Sequence, residues 1–131
     1  MAQLREHGWL VVPGIEKSRT PWEYRDYLAD GLGECSTAKN AYVASRSGWF
    51  SCRSACYMAS GRPVVVQDTG FSDFLPTGEG VLAYTDAEGL LAGLDAVRAD
   101  WRRHSEAALR IAREHFDART VLDRLLREAC A

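Results

Sequence analysis

The sequence has no long apolar run, no excess of one charge and no compact set of metal ligands. Each absence removes a class of function. The opening MAQLREHGWLVV mixes acidic and basic residues around one short apolar stretch. That fits neither a secretory signal nor a membrane span, so a soluble cytoplasmic protein is expected. Sixteen Lys and Arg against 18 Asp and Glu leave a net charge of −2 at pH 7. Nothing in that balance recruits nucleic acid or an anionic membrane. The four cysteines, Cys35, Cys52, Cys56 and Cys130, are scattered and expected to be reduced. Cys52 and Cys56 lie one helical turn apart, but no CxxC pair or histidine-containing cluster accompanies them. A zinc site wants four ligands, or three and a water, so no metal is expected and small, buried packing residues are the reading for both. There is no G-x-G-x-x-G, no G-x-S-x-G and no Ser/His/Asp order. A dinucleotide cofactor and a serine-hydrolase chemistry therefore have no direct support. His7, His104 and His115 lie far from the richest stretch and read as ordinary helix residues.

What is present is globular: 131 residues, 47% hydrophobic and 26% charged, enough for one domain with a modest core. Residues 3–7 followed by Gly8 read as the last turn of a helix, and residues 9–12 (WLVV) as a short strand closed by Pro13-Gly14. The chain thus begins as if inside an α/β unit. Thr20-Pro21 caps and opens a helix carrying Trp22, Tyr24, Tyr27 and Leu28, aromatic mass expected to pack on a sheet. Gly31-Leu32-Gly33 ends it. Residues 32–36 read as a weak strand, and residues 37–46 as a loop or irregular helix bringing Lys39 near the centre, either against a phosphate or simply solvated.

Residues 47–70, SGWFSCRSACYMASGRPVVVQDTG, organise the rest. Ser51 stands where a helix N-cap is needed, just before Cys52-Arg53-Ser54. Unpaired N–H groups and the helix dipole favour an anion at that end. Arg53 has the wrong sign for the dipole in the first turn, which makes sense with a phosphate between it and the helix end. Pro63 and three valines form a continuous apolar strand, as expected when helices cover both faces. Gln67-Asp68-Thr69-Gly70-Phe71 follows at its carboxyl end, where open parallel sheets bind ligands. Asp68 and Asp73 suit backbone hydrogen bonding in a turn, or a role as acid or ribose ligand. Residues 81–84 form a second buried-type strand. Thr85 or Asp86 caps the next helix, whose stripe runs Leu90, Leu94, Val97 and Trp101. Two further amphipathic helices follow, with Asp117 as the cap between them, giving a helical C-terminal tail rich in solvated Arg and Glu.

Residues 47–84, SGWFSCRSACYMASGRPVVVQDTGFSDFLPTGEGVLAY, resemble the donor-side region of a GT-B glycosyltransferase, more narrowly the group-1 enzymes of the spore-maturation-protein type. The resemblance extends from about Gly8 through the last helices. It implies a Rossmann-like parallel sheet with flanking helices. Residues 1–131 would be a single partial domain, the C-terminal half of the GT-B fold, truncated before its first strand. In that family the C-terminal domain binds a nucleotide-sugar donor and the N-terminal domain mainly binds the acceptor. The implied function is the nucleotide-sugar-binding half of an enzyme transferring a hexose-type sugar to an acceptor, without metal or cofactor. An N-terminal GT-B domain is the implied partner, and the isolated chain is expected to be inactive. By resemblance Ser51, Arg53, Ser54 and Lys39 meet the donor diphosphate, and Gln67, Asp68, Thr69, Gly70 and Phe71 form the donor loop. Many retaining members carry an E-x7-E pair here; Cys56 falls where its second glutamate would be, and Ser47 or Gly48 near the first. The same fold also suits a non-catalytic nucleotide- or anion-binding module, or a docking module.

Overall fold

Thr20 and Pro21 act as their types demand. The Thr20 hydroxyl accepts from the Glu23 N–H at 3.1 Å, and the Glu23 carboxylate accepts from the Thr20 N–H at 3.0 Å. This capping box opens helix α1, Pro21–Asp30. In the computed structural model, which describes residues 5–6 and 10–130, α1 leads into strand β1, Glu34–Ser36. Helices α2, Asn40–Ala44, and α3, Cys52–Ala59, come next. Strand β2, Val64–Gln67, a 3-10 turn at Phe71–Asp73 and strand β3, Val81–Tyr84, follow. Three helices finish the chain: α4, Ala87–Ala99, α5, Trp101–Phe116, and α6, Ala118–Ala129.

The three strands form one parallel sheet in the order β1-β2-β3. Glu34 pairs with Val64, and Val64 with Val81, so the strands advance in step. Alternation divides the side chains between two faces. Val64, Val66 and Val81 join Leu28, Met58, Phe71, Ala108 and Ile111 on the side of α1, α3 and α5. Val65 and Tyr84 join Leu90, Leu94 and Val97 on the side of α4. Helices therefore lie on both faces of the sheet, which is why β2 is apolar at successive positions. Burying each such valine stabilises the fold by about 1.5–3 kcal/mol.

Several expectations need correction. The strand expected at residues 9–12 does not form at Leu10, Val11 or Val12, which lie outside the sheet, Leu10 being 89% exposed; Trp9 is outside the described residues. Of the helix expected at residues 3–7, only Arg5 and Glu6 are described, and both are helical. Trp22 is not core: it lies largely in solvent with the Arg25 guanidinium over its ring. Trp101 does not close the stripe of α4. It opens α5, because Asp100 leaves helical geometry (φ −145°, ψ 69°) and caps the new helix by accepting from the Arg103 N–H. The Trp101 indole N–H donates to the Leu32 carbonyl at 2.7 Å, with Arg62 stacked on the ring. His104 is buried, and its Nδ1 accepts from the Gly80 N–H at 3.2 Å. All four cysteines are free and exposed, so Cys52 and Cys56 are not the buried packing residues expected.

Candidate functional site

Ser51 has extended backbone geometry and caps α3, its hydroxyl accepting from the Arg53 N–H at 3.2 Å. The start of α3 thereby stands at the carboxyl ends of β1 and β2. Ser51 and Ser54, with Phe50 and Trp49, meet Ser36 at the end of β1, Thr37 and Ala38 beyond it, Gln67 at the end of β2 and Phe71 beyond it around one crevice. The enclosed space is about 10 Å³, room for about one water molecule. Of the residues named from the sequence, Ser51, Ser54, Gln67 and Phe71 line this crevice, whereas Arg53, Asp68, Thr69 and Gly70 do not.

The loop residues are held by one another. The Gln67 side-chain oxygen accepts from the Ala38 N–H at 3.1 Å, joining the end of β2 to the loop after β1. Tyr84 donates its hydroxyl to the Ser36 carbonyl at 3.0 Å, tying β3 to β1 across β2. Thr69 is buried; its hydroxyl donates to the Trp49 carbonyl at 2.6 Å and its own carbonyl accepts from the Gly48 N–H at 2.9 Å. Gly70 has φ +95°, and a side chain there would stand 3.1 Å from the Arg46 carbonyl oxygen. Phe71 is buried, edge-on to Phe50. Arg46 forks onto Asp73 at 3.0 and 2.9 Å, so Asp73 is spent on an ion pair.

Asp68 is a turn-former. Its Oδ1 accepts from the N–H groups of Gly70 (2.9 Å) and Ser72 (3.4 Å), and its Oδ2 from the Ser72 hydroxyl (2.8 Å). Burial pushes its carboxyl up, but these bonds and the Arg46 charge outweigh that and hold it below the usual carboxylate range. A carboxylate depressed by folding contributes stability above its unfolded pKa and loses it as pH falls through the folded pKa. Asp68→Asn is thus expected to cost about 1 kcal/mol at neutral pH. The deficit should vanish in acid, below the folded-state pKa; urea unfolding of both proteins across that range measures it.

Arg53 takes a partner that sequence reasoning missed. Its Nε donates to Glu34 Oε1 at 2.7 Å, and the Ser36 hydroxyl donates to the same oxygen at 2.9 Å. The Glu34 side chain is only 4% exposed, whereas that of Arg53 is 46% exposed. Glu34 Oε2 is buried without a hydrogen-bond partner. Burial lowers the Arg53 pKa, but the Glu34 bond and charge raise it further, so the guanidinium stays charged. Tyr57 beside them is pushed up to about 12, first by burial and then by the neighbouring Tyr27, Glu34 and Tyr24. In the sequence, Glu34 only weakens the strand reading of residues 32–36. The available signal was that a carboxylate at a buried strand position requires a cation. Lys39 stands exposed before α2, just past the crevice lining and not part of it. The half-exposed Trp49, stacked on Tyr42 with centroids 5.0 Å apart, is a second unforeseen member of the rim.

A larger groove of about 670 Å³ lies on the α4 face beside β1, lined mainly by Leu32, Val65, Leu91, Leu94, Val97 and Trp101. It is mainly apolar, with Glu34, Asp95 and Arg98 also on its lining. Among the described residues no His, Cys, Asp and Glu gather in threes to hold a metal, and no helix is long and apolar enough to cross a membrane.

These features define an α/β protein with a small parallel sheet and a small crevice of mixed lining at the carboxyl ends of its strands. Comparison with protein-family models, with curated proteins and with solved structures finds no significant match for the chain.

Proposed function

We propose that this chain is the donor-binding half of a GT-B glycosyltransferase, a Rossmann-like C-terminal domain that holds a nucleotide sugar. The observation that carries the reading is the junction of the capped α3 N-terminus with the loop after β2 at the carboxyl end of the parallel sheet. The donor diphosphate lies against the first N–H groups of α3, with the half-exposed Arg53 guanidinium beside it. As the bond from the anomeric carbon to the diphosphate oxygen breaks, charge grows on the leaving group. The helix dipole and Arg53 stabilise that charge. The attacking acceptor hydroxyl and the base that takes its proton come from an N-terminal GT-B domain.

Calorimetric titration with UDP, GDP and their sugars tests this. One diphosphate nucleotide is expected to bind, at least tenfold more weakly to Glu34→Gln/Arg53→Ala than to Glu34→Gln. Absence of binding by every nucleotide would sink the proposal. Sugar transfer by the isolated 131-residue chain would contradict the division of labour.

A second reading, a docking module on the same fold, is favoured by the apolar groove, beside which Leu32 is 72% exposed. Failure of all nucleotides in the titration would leave this reading standing.

A further inference from the structure

The exposed cysteines of α3 form a site that the donor reading does not use. The helix turns Ser54, Tyr57 and Met58 inward. Cys52 and Cys56, four residues apart, fall on the opposite side, and both are free and exposed. Residues at this spacing lie one above the other with Cβ atoms about 5–6 Å apart, a gap that two metal–sulfur bonds of about 2.3 Å span.

We propose that Cys52 and Cys56 together bind a soft metal ion that accepts two-coordinate geometry, of the Cu(I) class. Thiolates select soft ions, and Cu(I) is the physiological metal that two sulfurs alone satisfy. Zinc is disfavoured because no third His, Cys, Asp or Glu completes a group among the described residues. On binding, each thiol gives its proton to solvent and forms one sulfur–copper bond; no electron is transferred. The bis-thiolate complex carries one negative charge. Cys35 on β1 and Cys130 after α6 have no cysteine at helical spacing.

The test uses the full chain, reduced and kept anaerobic, with Cu(I) supplied as its acetonitrile complex. Native mass spectrometry counts the metal, and a thiol reagent counts free cysteines. One equivalent of Cu(I) is expected to bind per chain and to protect two of the four thiols. Cys52→Ser or Cys56→Ser should abolish that protection, while Cys35→Ser and Cys130→Ser retain it. Circular dichroism checks that these surface changes leave the helices intact. Equal reactivity of all four thiols after one equivalent would overturn the proposal. So would protection that persists in Cys52→Ser/Cys56→Ser, or a copper-bridged pair of chains at doubled mass.

Discussion

Gly80→Ala is expected to destabilise the protein by about 3 kcal/mol, from two additive sources. Gly80 has φ +75°, a conformation a side chain resists by about 1–2 kcal/mol. The added Cβ would stand 2.3 Å from the Ala108 nitrogen and 2.7 Å from its Cα. Those atoms are helix backbone and cannot swing aside, so β3 and α5 must separate. The same residue also accepts from the Val64 N–H at 2.9 Å and donates to His104, so separation would loosen the strand and the buried imidazole together. Gly78→Ala is the control. Its φ is +101° but its Cβ would meet nothing within 4 Å, so only the conformational part applies. Guanidinium unfolding of both variants separates the terms: equal losses would mean that close approach to α5 contributes nothing.

Arg53→Ala is expected to cost about 2–3 kcal/mol of stability before any ligand is considered. Removing one member of a buried pair costs about 3–5 kcal/mol because the other charge stays behind. The half-exposed guanidinium is partly screened by water, which reduces the figure. Glu34 would be left with Ser36 as its only donor. Replacing both residues should restore part of the loss, and a double-mutant cycle in urea gives the coupling. Additive single losses would show that the pair is not coupled. The effect bears directly on binding experiments, since Arg53→Ala alone disturbs β1 as well as the proposed diphosphate contact. The comparison must start from a protein in which Glu34 is already neutral.

Features governed by neighbouring residues were legible in the sequence. Thr20, Ser51, Asp86 and Asp117 each accept a backbone N–H at a helix start, because capping depends on a few consecutive positions. Strands at Val64–Gln67 and Val81–Tyr84 were readable because apolar runs there are covered from both sides. Helices after residue 86 followed from their apolar spacing. Contacts across the chain were not readable. Arg53 meets Glu34 from 19 positions away, and Thr69 meets Trp49 from 20. Nothing local distinguishes an arginine turned toward an anion from one turned toward a strand. The bonds of Asp68 to Gly70 and Ser72 are local, and its turn role was readable for that reason. Residue type alone also misplaced Trp22 and the cysteines, whose burial depends on which face the helix offers to the sheet.

The last helix has a dynamic consequence. Helix α6 has no buried residue, leaves Leu122, Leu125 and Leu126 more than half exposed, and rests on α5. Its i,i+4 ion pairs, Arg127–Asp123 and Arg124–Glu128, are solvent-facing and add only a few tenths of a kcal/mol each. Opening α6 therefore exposes little that was covered. Its amides should exchange with solvent through local opening, independently of denaturant at low concentration, while those of β2 wait for the whole molecule to unfold.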